Sequence, residues 1–123
     1  MFGFFKDAKI KAQCLGDTYT QVINFTGIDL NHLNSKENYD LQENAFKILQ
    51  DKIGKQGKYL EIEMVIATWL ALLNAIEKDS KHTLQSKKNT LELGFKEFLS
   101  LRLNDIVRNG MPKKLFELLD NYT

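Results

Sequence analysis

The sequence predicts an all-α protein: a single domain of residues 1–123, with four to six helices packed around a central apolar helix at about 58–78. Apolar residues recur every three or four positions along most of the chain, which is the helical period. The only proline is Pro112, so no proline interrupts a helix before that point. One stretch, 18–25, is rich in strand-forming residues. No second strand is evident to pair with it, and a lone strand is not stable, so helix is favoured there too.

The composition is that of an ordinary folded domain. The chain is 43% hydrophobic and 27% charged, with a net charge of +1. This charge gives no general electrostatic attraction to nucleic acid or to an anionic membrane. Cys14 is the only cysteine, so no internal disulfide can form, and we expect a small buried helix residue in a reducing, cytoplasmic compartment. The apolar run 64–76 is shorter than the ~20 residues that span a bilayer, so no integral membrane segment is expected.

The first half of the chain predicts two helices separated by a long loop. Residues 3–24 form an amphipathic helix that Gly27 terminates. Residues 27–40 are rich in asparagine, aspartate and serine and predict an irregular segment, held to the core by Ile28, Leu30 and Leu33. Asp40, three residues before Glu43, has the capping-box spacing and predicts the start of the second helix, which extends to about residue 53.

The second half predicts the core and two or more further helices. The third helix, 58–78, is apolar on several faces and carries Trp69, the only tryptophan. Glu61 and Glu63 near its start are expected to be solvated acids that suit the helix dipole. A helical pattern follows over 81–109, with a restart near Thr90, and a short last helix over 113–121. The apolar excess in 91–103 and 115–119 predicts packing across a homodimer.

Both histidines lie in an Asp-x-x-His pattern, Asp29/His32 and Asp79/His82. On a helix this spacing places a carboxylate and an imidazole on one face, and di-metal helical bundles use a related pair. Both pairs lie in predicted turns, however, and the bridging carboxylates that such a centre needs are not evident. No metal and no cofactor are therefore predicted. A metal-binding bundle or enzyme that uses the two pairs is kept as an alternative.

Other catalytic and nucleic-acid signals are weak. There is no glycine-rich phosphate loop and no local Ser-His-Asp context, so an enzyme is not expected. A helix-turn-helix can be drawn over 103–122, with a basic patch from Lys87, Lys88, Lys113 and Lys114. The last helix is mainly apolar, which does not suit a recognition helix. Nucleic-acid binding is thus a second alternative that the sequence does not favour.

The sequence therefore predicts a non-catalytic protein-binding module: an inhibitor, an immunity-type protein or an adaptor. The small size and the lysine, asparagine and isoleucine usage are typical of a bacterial or phage protein. The partner is expected to be another protein, with a homodimer as one form. Candidate partner-binding residues lie among the N-terminal phenylalanines and in the loop 27–40: Phe2, Phe4, Phe5, His32, Asn34 and Tyr39.

Overall fold

The structure is an all-α arrangement, as predicted. The computed structural model describes the backbone of residues 2–52 and 59–108, and the side chains of 8–51, 59–102, 104 and 105. The α-helices in these ranges are α1 (Phe2–Thr26), α2 (Ser35–Lys47), α3 (Glu61–Lys78) and α4 (Lys88–Arg108). A π-helical turn (Ile48–Lys52) extends α2, and a 3₁₀ turn (Gln85–Lys87) leads into α4. The described residues contain no β-strand.

Helix α3 is the central helix, which confirms the prediction from its many-sided apolar surface. Thirteen of its 18 residues are buried, and it packs against α1, α2 and α4. Trp69 is fully buried, and its indole Nε1 donates a hydrogen bond to the Leu91 carbonyl at 3.2 Å. Its ring lies 5.3 Å from the Phe95 ring and 5.7 Å from the Phe98 ring. Through Trp69, α3 and α4 therefore share one aromatic core.

Helix α1 includes residues 18–25, so the strand interpretation of that stretch is wrong. The polar β-branched residues are accommodated because their hydroxyls donate to carbonyls one turn earlier. Thr18 donates to the Cys14 carbonyl at 2.6 Å, and Thr26 to the Val22 carbonyl at 2.6 Å. Gly27, with a φ of 75°, ends the helix as predicted, because glycine adopts this left-handed conformation without strain.

Helix α2 begins at Ser35, so the prediction that Asp40 caps it is wrong. Asn34 is the N-cap, and its Oδ1 accepts a hydrogen bond from the Glu37 backbone N–H at 2.8 Å. Asp40 lies inside the helix and is exposed. The irregular segment is therefore 27–34 rather than 27–40. Its apolar residues are buried against the core as expected: Ile28, Leu30 and Leu33.

The segment after α3 is a series of turns, not the start of a helix at residue 81. The Asp79 carboxylate accepts from the Lys81 backbone N–H at 2.9 Å, and the His82 Nδ1 accepts from the Leu84 N–H at 3.1 Å. These local bonds occupy backbone donors that a helix would use. Helix α4 consequently begins at Lys88, close to the restart predicted near Thr90.

The prediction that Glu63 is solvated is wrong, because this residue is fully buried. Its Oε1 accepts a hydrogen bond from the Leu60 backbone N–H at 2.9 Å, which satisfies a donor at the start of α3. The predicted end of the second helix near residue 53, the last helix 113–121 and most of the helix-turn-helix region 103–122 lie outside the described residues.

Candidate functional site

A cleft of about 330 Å³ lies between the first turns of α2 and the turns that follow α3. It is formed because the N-cap of α2 stands beside the segment 79–83. Its lining mixes acidic, basic and imidazole groups: Asn34, Lys36, Glu37, Asp40, Lys81 and His82. The structure thus brings one predicted site residue, Asn34, next to one of the Asp-x-x-His pairs.

Glu37 and His82 are the centre of a polar network across this cleft. The His82 Nε2 lies 3.4 Å from the Glu37 Oε2, and the side chains are only 9% and 18% exposed. The Thr83 hydroxyl donates to the Glu37 Oε1 at 3.3 Å. Because the Glu37 backbone N–H also donates to Asn34, a single residue joins the α2 cap to the turns after α3.

The hydrogen bonds of His82 assign its ring nitrogens. Its Nδ1 accepts from the Leu84 N–H, so the ring proton is on Nε2, which faces the Glu37 carboxylate. In this tautomer neither nitrogen has a lone pair available to bind a metal or to take a proton from a substrate. The arrangement holds the first turn of α2 against the turns that follow α3.

The second Asp-x-x-His pair forms a separate turn. The Asp29 Oδ1 accepts from the backbone N–H and the side-chain amide of Asn31, both at 2.8 Å. These bonds, with a smaller contribution from His32, lower the pKa of the Asp29 carboxyl. His32 is exposed and does not line the cleft. Over the described ranges, no three metal-binding side chains come together.

Tyr39, another predicted site residue, does not line the cleft. Tyr39 is 61% exposed on α2. Phe2, Phe4 and Phe5 belong to the first turns of α1, but their side chains lie outside the described residues. Glu37 was not predicted from the sequence. Asn34 and Glu37 have the same capping-box spacing as Asp40 and Glu43, so this spacing could have indicated Glu37.

Helix α4 carries a second surface feature, which we call the outer α4 face and define as Leu93, Glu97 and Leu101. These residues are spaced four apart, so they lie along one side of the helix. Both leucines are 66% exposed. The opposite side of α4 is fully buried in the core through Leu91, Phe95, Phe98 and Leu99. The helix is therefore apolar both towards the core and towards solvent, in line with the apolar excess seen in the sequence.

Cys14 is confirmed as a core residue of α1, with 1% of its surface exposed. Burial raises the pKa of the thiol to about 11, an effect that a hydrogen bond with Thr68 only partly offsets. At neutral pH the group is thus a protonated thiol, which is a poor nucleophile.

Comparison with protein-family models, with curated proteins and with solved structures found no match for this chain. Across the part of the chain that the structure describes, no helix combines the length and apolarity needed to cross a membrane. The candidate functional surfaces of the described residues are the cleft at Glu37 and His82 and the outer α4 face.

Proposed function

We propose that this chain is a non-catalytic protein-binding module, of the inhibitor, immunity or adaptor type, that binds its partner through the outer α4 face. The observation that carries the proposal is the 66% exposure of Leu93 and Leu101 on a helix whose other side is fully buried. Large apolar side chains that remain exposed on one side of a helix are a feature of protein-interaction sites. The free, buried Cys14 supports a reducing compartment, the cytoplasm.

The energetic scale supports a contribution to binding. Burial of a fully exposed leucine contributes about 1.5–3 kcal/mol, so burial of two leucines that are two-thirds exposed contributes roughly 2–4 kcal/mol. A micromolar complex requires about 8 kcal/mol in total. The two leucines would therefore be the anchor of an interface that extends over neighbouring surface.

The cleft supports a non-catalytic role for this chain. Its most buried polar groups, Glu37 and His82, are bonded to each other and to neighbouring backbone or hydroxyl groups. A general base or a metal ligand needs a lone pair directed at the substrate or the ion. The His82 tautomer held here directs none, which favours the binding module over the metal or enzyme alternative.

Affinity capture with matched variants tests the proposal. Tagged full-length wild type, Leu93→Ser/Leu101→Ser and Tyr39→Ser would be used to capture partners from native lysate, with bound proteins measured by quantitative mass spectrometry. Tyr39 is a suitable comparison because it is a large, 61% exposed side chain on another helix. We expect wild type and Tyr39→Ser to retain one stoichiometric partner that the double variant loses.

Folding is checked alongside, since substitutions at exposed sites should change the free energy of unfolding by no more than about 0.5 kcal/mol. Loss of the partner with Tyr39→Ser alone would move the binding surface to α2 and overturn the assignment to α4. Equal retention by all three proteins, or no stoichiometric partner for any of them, would contradict the proposal.

A further inference from the structure

We infer that the partner of the outer α4 face presents a lysine or arginine between two apolar side chains, and that it is not a second copy of this chain. The inference rests on the proposed function and specifies the chemistry of the partner. It follows from Glu97, the acidic residue that stands between the two exposed leucines.

The geometry places one carboxylate in the middle of an apolar surface. Leu93 and Leu101 are separated by eight residues, which is about 12 Å along a helix at 1.5 Å per residue. Glu97 lies midway between them and is itself exposed. A partner that covers both leucines must also cover Glu97 and remove water from its carboxylate. That desolvation is unfavourable unless the partner supplies an opposite charge or hydrogen-bond donors.

Glu97 has no internal counter-charge in the described part of the chain. The ion pairs seen there include Lys11 with Glu43 and Arg102 with Asp105, and neither includes Glu97. The exposed neighbours of Glu97 one turn or two turns along the same side are uncharged: Thr90, Ser100 and Asn104. Lys96 is adjacent in sequence but is rotated about 100° around the helix. Among the described residues nothing neutralises this carboxylate, so it is open to a cation on a partner.

Two-fold pairing of the outer α4 face with itself does not supply that cation. In a two-fold symmetric dimer each residue on the axis meets its own equivalent. Pairing two outer α4 faces in antiparallel fashion places Leu93 against Leu101 and brings the two Glu97 carboxylates together. Like charges in an interface suppress such a pairing. The homodimer expected from the apolar excess of 91–103 is thus disfavoured on this face.

Peptide probes test the charge preference directly. Two helical peptides would be used that are identical except for one position: both carry leucines at i and i+8, and one carries lysine and the other glutamate at i+4. Their Kd for the full chain would be measured by fluorescence anisotropy. We expect wild type to bind the lysine peptide about tenfold more tightly, a difference that shrinks at high salt.

Variants of the full chain assign the preference to one carboxylate. Glu97→Lys should reverse the order of the two peptides, and Glu97→Gln should abolish the difference between them. Glu97 is exposed, so these variants should fold, which far-UV circular dichroism would verify. Leu93→Ser/Leu101→Ser should weaken both peptides equally.

The outcomes separate this inference from the proposed function. If wild type binds both peptides equally, or neither of them, the inference is wrong, while partner capture through the leucines would still support the proposed function. Analytical ultracentrifugation tests whether a second copy of the chain occupies the outer α4 face instead. A wild-type dimer that Leu93→Ser/Leu101→Ser dissociates would make a second copy the occupant and would overturn the inference.

Discussion

At the scale of single residues, α1 contributes two ionisable side chains to the protein interior, Cys14 and Tyr19, and both are held in their neutral forms. The Tyr19 hydroxyl donates a hydrogen bond to the Asn38 side chain on α2, and the Cys14 thiol is buried beside Thr68. Burial, with a smaller effect of Glu37, raises the pKa of Tyr19 to about 12. Burial raises the pKa of Cys14 to about 11. Because of these two groups, the free energy of unfolding should depend on pH in the alkaline range.

We predict that the protein loses stability between about pH 9 and pH 12. The pKa values rise on folding from 10.0 to about 12 for Tyr19 and from 9.0 to about 11 for Cys14. The folded state therefore binds these two protons more tightly than the unfolded state does. The resulting stabilisation is fully present below pH 9 and is lost as the pH rises through the folded-state pKa values. Each two-unit shift corresponds to about 3 kcal/mol at most. Urea unfolding followed across this pH range measures the loss.

Two variants assign that pH dependence to the two groups. Tyr19→Phe should remove the part that develops between pH 10 and 12, and Cys14→Ala the part between pH 9 and 11. If the double variant has the same alkaline profile as wild type, the explanation by these buried groups is wrong.

At the scale of the secondary-structure element, the start of α2 is decided by its cap. Both Asn34 and Asp40 are good N-cap residues with a glutamate three positions later. A start at Asn34 leaves Leu41 and Ala45 buried on the inner side of α2 and lets Asn38 bond Tyr19. It also brings Glu37 against His82. The helix start at Asn34 is therefore accompanied by contacts between α2 and two residues outside it, Tyr19 and His82.

We predict that Asn34→Ala lowers the free energy of unfolding by about 1 kcal/mol, because the Glu37 N–H loses its side-chain acceptor. Asn34→Asp keeps an acceptor and should be nearly neutral. Asp40→Ala is the matched control, and as an exposed position inside the helix it should change stability by no more than about 0.5 kcal/mol. Chemical denaturation of the three variants checks this. A larger loss for Asp40→Ala than for Asn34→Ala would contradict the observed helix start.

At the scale of the whole molecule, α1 and α4 pack closely at Gly94. A Cβ atom there would overlap the Thr26 Cγ2 and would lie 3.4 Å from the Trp69 Cζ2. Neither neighbour can move freely: the Thr26 hydroxyl is bonded to the Val22 carbonyl and accepts from the Ile28 N–H, and Trp69 is held in the core. The absence of a side chain at Gly94 thus sets the distance between the two helices.

We predict that Gly94→Ala destabilises the fold by about 1–3 kcal/mol through overpacking, although alanine favours helix more than glycine does. Gly16→Ala is the control, because a Cβ atom there meets nothing within 4 Å. It should raise the stability by about 0.5–1 kcal/mol through helix propensity alone. Thermal unfolding of both variants gives the comparison, and a stabilising Gly94→Ala would contradict the close α1–α4 contact.

The sequence by itself determined the fold class and the central helix. Helical periodicity and an apolar surface on several sides are properties of the local residue pattern. The segment 64–76 could therefore be recognised as the core from that pattern alone. The termination of α1 at Gly27 and the burial of Ile28, Leu30 and Leu33 were predictable for the same reason.

Only the tertiary structure decided where α2 and α4 begin and which polar residues meet. Glu37 and His82 belong to segments far apart in sequence, and no local pattern of either one indicates the other. The outer α4 face is a similar case, because periodicity finds the apolar residues of 91–103 but not which of them remain in solvent. Those choices depend on which neighbouring helices occupy each side, and packing between distant segments is what a single sequence does not display.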